Sequence, residues 1–254
     1  MNLVAWNCRQ AFRKKVERLQ PFAPQLAVIS ECESLEKLRG SQEPLFSHAL
    51  WFGDNLNKGL GVFSSGDIPL TVHPAYDDRY RWVVPIRVAG PEPFTLLAVW
   101  TKDHRERRQS YVGQLFLALQ QYQELLEKET CLIAGDFNSN AIWDSHPRVG
   151  NHTAVVEMLR GYGLESAYHR FFQERQGEES VPTYYFHHSK EKGYHIDYAF
   201  LPERWMARVE AVTVGTYEEW RAWSDHVPVV VRLKEGGKQP ALRRSRNSCR
   251  QSEK

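Results

Sequence analysis

The sequence predicts an α/β domain whose strand ends carry the polar residues, and three stretches predict it. Cys131-Leu132-Ile133-Ala134, closed by Gly135, is a short apolar run of the kind that becomes a buried strand, with Asp136-Phe137-Asn138-Ser139-Asn140 spilling into the loop beyond. The amino-terminal segment reads strand, helix, strand, which is the parallel crossover unit. Between Ser47 and Thr101 lie runs rich in β-branched and aromatic residues, punctuated by Gly, Pro, Asp and Asn as antiparallel hairpins require. At 254 residues, 42% hydrophobic and 12% aromatic, the chain can fill a large core, and disorder is excluded for most of it.

In order, Leu3-Val4-Ala5-Trp6-Asn7 is the first expected strand, ending on an amide. Phe12, Val16 and Leu19 have helical spacing, and Pro21 and Pro24 stop that helix. Leu26-Ala27-Val28-Ile29 is a second buried strand followed by Ser30-Glu31, so Asn7 and Glu31 are expected at one edge of one sheet. Strands follow at 47–52, 59–64, 81–88 and 94–101. Residues 107–128 are predicted as one long helix, because Val112, Leu115, Phe116, Leu119 and Leu126 make an apolar stripe opposite Gln and Glu. The central strand, 130–135, leads into a long loop with Trp143, His146, Pro147 and Arg148, then a short helix over 154–159. Residues 173–180 read as a polar surface loop. His195 to Leu201, 209–214 and 227–231 are the last strands. From Glu235 the chain turns polar, with Arg243, Arg244, Arg246 and Arg250, and 235–254 is expected to be a disordered basic tail.

The formal charge of +2 announces no polycation, though a locally basic face stays open. The start of the chain does not read as a signal peptide, and no run reaches transmembrane length. Cys8, Cys32, Cys131 and Cys249 lie far apart without paired metal-ligand spacing, and read as reduced thiols of a cytoplasmic protein.

Asp136 and Asn138 are two apart, so on an extended backbone both face one side, a pairing suited to a hard cation or a phosphate; an Asp/Asn-rich turn without chemistry is the alternative. The rest of the chain decides. Asn7, Glu31, Asp136 with Asn138, Asp197, and Asp225 with His226 all stand beside apolar runs, poor places for unpartnered carboxylates. Convergence on one pocket, with a divalent cation and a histidine as partners, explains all five.

In this set the chain resembles the endonuclease/exonuclease/phosphatase superfamily, which includes exonuclease III-type AP endonucleases and pancreatic-type deoxyribonucleases. The matching pieces, in the family's order, are Trp6-Asn7, the strand ending in Glu31, Gly59-Leu60-Gly61-Val62-Phe63-Ser64, Gly135-Asp136-Phe137-Asn138, Ile196-Asp197-Tyr198 and Ser224-Asp225-His226. The resemblance implies a four-layer αββα sandwich, two mixed β-sheets packed face to face between outer helices, with residues 1–234 as the catalytic domain. It also implies that Asn7, Glu31 and Asp225 hold Mg²⁺, with Mn²⁺ as the alternative. Asp136 and Asn138 would face the attacking water and scissile phosphate, and His226, oriented by Asp197, would carry positive charge beside that phosphate.

Three departures qualify it. Ser30 stands where the family has Gln. Trp100-Thr101-Lys102-Asp103-His104 lacks the usual Asn-x-His, leaving Lys102 or His104 as substitute phosphate contacts, His104 otherwise being a plain surface histidine. Cys32-Glu33-Ser34 replaces the run typical of abasic-site enzymes. His195, Lys102 and Arg81 are the candidate substrate contacts; Arg79, Trp82, Trp143, His146 and Arg148 could equally form a polar rim. The implied function is a Mg²⁺-dependent phosphodiester hydrolase, a nuclease on DNA or RNA. The alternatives are a phosphatase or phosphodiesterase for a small or lipid phosphoester and a catalytically inactive binding scaffold, the last disfavoured because Glu31, Asp136, Asn138, Asp197, Asp225 and His226 all remain. Nothing implies a partner protein or membrane insertion.

Overall fold

The computed structural model describes residues 1–39, 41, 45–144 and 150–234. The expected basic tail with Cys249, and His146, Pro147 and Arg148 of the expected rim, lie outside the described residues. The first seven strands are β1 (Asn2–Asn7), β2 (Leu26–Cys32), β3 (His48–Asn55), β4 (Lys58–Ser64), β5 (Leu70–Val72), β6 (Val83–Val88) and β7 (Phe94–Trp100). The rest are β8 (Cys131–Asp136), β9 (Leu164–Ser166), β10 (Tyr184–Tyr185), β11 (Gly193–Tyr194), β12 (Asp197–Pro202), β13 (Val209–Val214) and β14 (Val229–Leu233). One six-stranded sheet runs β13-β14-β1-β2-β4-β3 and the other β5-β6-β7-β8-β12-β9, while β10 and β11 form a small separate ladder. Both large sheets are mixed, with one parallel pair each, β1 with β2 and β7 with β8.

Side-chain alternation creates the layers. Leu3, Ala5, Leu26 and Val28 of the first sheet meet Leu96, Ala98, Leu132 and Ala134 of the second in the central core. Their neighbours Val4, Trp6, Ala27 and Ile29 face the other way, under Phe12, Val16, Leu19 and Trp220. On the far side, Leu97, Val99, Ile133 and Phe200 are covered by Leu115, Leu119, Tyr122, Val155 and Leu159. The result is the four-layer αββα sandwich. Each fully buried aliphatic side chain contributes about 1.5–3 kcal/mol through area removed from water.

The helices differ from expectation. Residues 12–22 form two short 3₁₀ turns, Phe12–Lys14 and Val16–Phe22, parted at Lys15, whose φ of -131° lies outside the helical region, and Pro21 falls inside the second turn rather than ending it. The expected helix over 107–128 is broken into a 3₁₀ turn, Arg107–Gln109, and two α-helices, Val112–Gln121 and Gln123–Lys128. The first break falls at Tyr111, whose φ of 51° no right-handed helix accepts. The short helix is longer than expected, His152–Gly161, because Asn151 caps it by accepting from the Ala154 N–H.

Gly135 sets the path of β8 to its end. A Cβ there would stand 1.9 Å from the Val99 carbonyl oxygen, and its φ of +136° suits glycine alone. The parallel pairing of Val99 with Gly135 therefore brings Trp100 beside Asp136 at one edge of the sandwich.

Candidate active site

Asp136 closes β8 and Asp197 opens β12, and the antiparallel register sets the two residues directly opposite one another. Both are fully buried. Two carboxylates so placed repel, so their surroundings decide how they share charge. His226 Nδ1–H donates to Asp197 Oδ2 at 2.8 Å. Thr183 Oγ1 accepts from the Ile196 and Asp197 N–H groups at 2.9 and 3.0 Å, fixing the turn into β12. The imidazole is oriented on Nδ1, leaving Nε2 for the cleft.

Around Asp136, Asn7 Nδ2 donates to Oδ2 at 2.9 Å, and the Asn138 N–H donates to Oδ1 at 2.9 Å. Asn138 Nδ2 also bridges Asp136 Oδ2 and the Thr101 carbonyl at 3.0 and 2.8 Å. Asn138 has φ +46°, a left-handed conformation that Asn tolerates, so the loop turns back over the carboxylate.

Burial, then the Asp197 charge, pushes the Asp136 carboxyl up to about 7, with His226 and the Asn7 and Asn138 hydrogen bonds pulling the other way. Burial pulls the His226 imidazole down, but the Asp197 charge and hydrogen bond, followed by Asp136 and Asp225, outweigh it and lift the ring to about 9. At neutral pH the site therefore pairs a poised carboxyl with a held cation.

Glu31 sits at a bulge in the pairing of β2 with β4 and has φ +56°. A glutamate in that region is strained, and bulges re-aim side chains. Its carboxylate meets Lys58 Nζ at 2.9 Å. Asp225 lies 3.8 Å from Arg9 Nε, and Ser224 Oγ donates to the Asn7 carbonyl at 2.8 Å, pinning the Ser224-Asp225-His226 turn onto β1. Tyr184 reports the convergence. Burial pushes its phenol up to about 12, and the next contributions come from Asp225, Asp136 and Glu31.

The expected substrate contacts divide. Lys102 lines a cavity of about 400 Å³ with Glu31, Lys58, Tyr111 and Asn138. Its Nζ lies 3.7 Å from the Trp82 ring centroid and 5.2 Å from that of Trp100, and burial, then Lys58 and Arg81, lower its pKa. Trp82 is thus a buried platform rather than a rim residue. Arg81 is tied to Asp54 and, at 2.7 Å, to Asp78. Arg79 is held by Asp77 at 2.5 Å. His104 is exposed and accepts the Glu106 N–H at 3.1 Å, local turn chemistry.

His195 does not reach the cleft. It is 3% exposed, its Nδ1–H donates to the Val181 carbonyl at 2.8 Å, and burial lowers it to about 4. A neutral, enclosed ring cannot meet a phosphate. The strand expected from His195 begins only at Asp197, so His195 lies in the turn before β12.

Several contributors carried no signal in sequence: Thr183 beneath Asp197, Tyr184 over His226, and Lys58 on Glu31. The supposed surface loop 173–180 is also more than loop. Glu179 Oε2 accepts from Asn140 Nδ2 at 3.0 Å, and its Oε1 pairs with His169 Nε2 at 2.9 Å. That contact props the far end of the Asp136–Asn140 loop.

The donor set fits a hard divalent cation. Asn7, Glu31 and Asp225 offer oxygen atoms, and Asp197 Oδ1 is buried without a hydrogen-bond partner among the described residues. Asp136, Asp197 and His226 also have ligand-type atoms all within 4.8 Å of one another. Asp197 already holds the imidazole through His226 Nδ1.

No protein-family model matches the chain, and no curated protein matches it. Solved structures do. A 3'-5' exonuclease from Neisseria meningitidis superposes with a TM-score of 0.67 at 19% identity, covering 92% of this chain and 100% of that one. An AP endonuclease from Archaeoglobus fulgidus gives 0.67 at 14% identity with the same coverage, 92% and 100%. The endonuclease domain of a telomere-specific non-LTR retrotransposon gives 0.62 at 16% identity, covering 92% and 97%. At these identities the likeness is one of fold.

Proposed function

We propose that this chain, which has the DNase I-like fold of the endonuclease/exonuclease/phosphatase superfamily, is a metal-dependent phosphodiester hydrolase acting on nucleic acid, with residues 1–234 as its catalytic domain. The observation that carries the reading is the Asp197–His226 pair set against Asp136 where the strand ends of the two sheets meet.

Hydrolysis of a phosphodiester needs an oriented water and fixed positive charge for the phosphoryl oxygens. Asp136, with its pKa near neutrality, takes or directs the proton of the water, and Asn138 holds that carboxylate in place. His226, kept cationic by Asp197, donates from Nε2 to a phosphoryl oxygen. Lys102, on its indole platform, faces the same cavity and replaces the missing histidine as a phosphate contact. Arg81, bound by Asp54 at that cavity, supports its rim. Mg²⁺ or Mn²⁺ held by Asn7, Glu31 and Asp225 supplies charge neutralisation at the scissile phosphate when bound. Three buried free cysteines among the described residues fit a reducing, cytoplasmic setting.

The test is hydrolysis with Mg²⁺, and with EDTA as control, of single- and double-stranded DNA, an abasic duplex, RNA and a soluble inositol phosphate. Chelator-sensitive cleavage of any nucleic acid is expected. Activity confined to the inositol phosphate would move the protein to the small-phosphoester alternative, and inactivity on every substrate would overturn the reading.

A further inference from the structure

Beside the catalytic carboxylate lies a second and larger cavity, about 590 Å³, one side of which is lined by Tyr111, Trp143, Tyr184, Phe186 and Tyr194, with polar residues including Asp144 among the rest. It shares Asn138 and Tyr111 with the Glu31–Lys102 cavity, so the two adjoin at the loop that follows Asp136. The aromatic wall is a connected series. Tyr184 lies over His226 with ring centroids 4.6 Å apart, Tyr194 stacks beside Tyr184 at 6.5 Å, and Trp143 reaches Tyr194 at 5.2 Å. Phe186 extends the series on the other side, 6.4 Å from Tyr184.

The outer members are exposed, Trp143 by 48% and Phe186 by 40%. Among the described residues, eight large hydrophobic side chains are exposed, and three of them, Tyr111, Trp143 and Phe186, line this one cavity. Such clustering marks a binding surface rather than scattered surface hydrophobicity. Polar groups are interspersed on the same wall, among them Asn138, Asn151 and Arg107.

We infer that this strip is a base-stacking platform for an unpaired nucleic-acid strand, which it leads to the Asp136–His226 centre. Its location relative to a reactive phosphate rests on the hydrolase reading above; its chemistry does not. Aromatic faces accept bases that have left a helix, whereas a duplex offers only its backbone and groove edges. A row of rings running outward from the catalytic histidine places one base after another along a strand whose phosphate lies at the centre. Every base has a π-face, so the platform is tolerant of sequence. The flanking amides and Arg107 then face the sugar-phosphate chain.

The experiment is equilibrium binding in EDTA, which removes the cation the hydrolase reading needs. Fluorescently labelled single-stranded DNA, single-stranded RNA and the matched DNA duplex are compared on wild type, Trp143→Ala, Phe186→Ala and Trp143→Phe. The expected result is tighter binding of a single strand than of the duplex. Each alanine variant should weaken single-strand binding by about 5- to 150-fold while leaving duplex binding little changed, and Trp143→Phe should keep most of it. A preference between the DNA and RNA strands identifies the natural source of the unpaired strand and supports the platform either way. Duplex binding equal to or tighter than single-strand binding, or alanine variants that bind single strands like wild type, would overturn it. Hydrolysis of bis(p-nitrophenyl) phosphate with Mg²⁺ is measured in parallel. Loss of that activity alongside intact single-strand binding would sink the hydrolase reading and leave the platform standing.

Discussion

Asn7 Nδ2 donates to Asp136 Oδ2 at 2.9 Å, and the bond ties the last residue of β1 to the last residue of β8. One strand belongs to each sheet, so the site closes only when the two halves of the sandwich pack. Ser224 adds a second tie, donating to the carbonyl of the same asparagine. Site geometry is therefore coupled to the central core, and damage to either should be felt in the other.

Gly135→Ala tests that coupling from the scaffold side. The added methyl meets the Val99 carbonyl oxygen at 1.9 Å in a backbone conformation that alanine avoids, so stability should fall by at least about 2 kcal/mol. Gly66→Ala is the control, with a φ of +61° but nothing near its Cβ, and should cost only about 1 kcal/mol. Urea midpoints of the two variants against wild type check the difference.

The rate should depend on pH as a bell. The Asp136 carboxyl is raised, so it takes up its proton, and the base form is lost, as pH falls through about 7. The His226 pKa is also raised, so its cation survives to about 9 and is lost as pH rises through that value. A profile of kcat/KM between pH 5 and 10 reads both limbs.

Asp197→Asn removes the charge that holds the imidazolium, while its amide can still meet the ring. The alkaline limb should shift to lower pH, and the rate at pH 8 should fall by roughly a hundredfold or more. An alkaline limb left in place would assign the proton to another group.

Glu31→Ala should raise the Mg²⁺ concentration needed for half-maximal activity by roughly tenfold or more, because a hard cation loses a carboxylate ligand. Calorimetric titration of Mg²⁺ gives the same comparison without turnover. An unchanged dependence would remove Glu31 from the ligand set.

The strand ends were legible in the sequence because each polar residue stood beside an apolar run, and the structure brings Asn7, Asp136, Asn138, Asp197 and His226 together through hydrogen bonds and register. Register was not legible. That Asp136 opposes Asp197 follows from pairing β8 with β12, a long-range match that no local pattern encodes. The long helix failed at Tyr111 because a conformation with φ of 51° overrides an otherwise continuous apolar stripe. His195 misled because its place beside the strand carrying Asp197 does not reveal its burial against the Val181 carbonyl, a contact made across elements. Lys58, Thr183 and Tyr184 act through contacts made across elements, so nothing near them in sequence marks them.

The most direct test of the active-site account is the single-turnover rate of nucleic-acid cleavage in Mg²⁺ by wild type, Asp136→Ala and His226→Ala, with folding and Mg²⁺ binding measured on the same samples. The account predicts that both variants fold and bind the ion, yet cleave about 10²–10⁴-fold more slowly. Either variant folded, metal-bound and nearly as fast as wild type would contradict it.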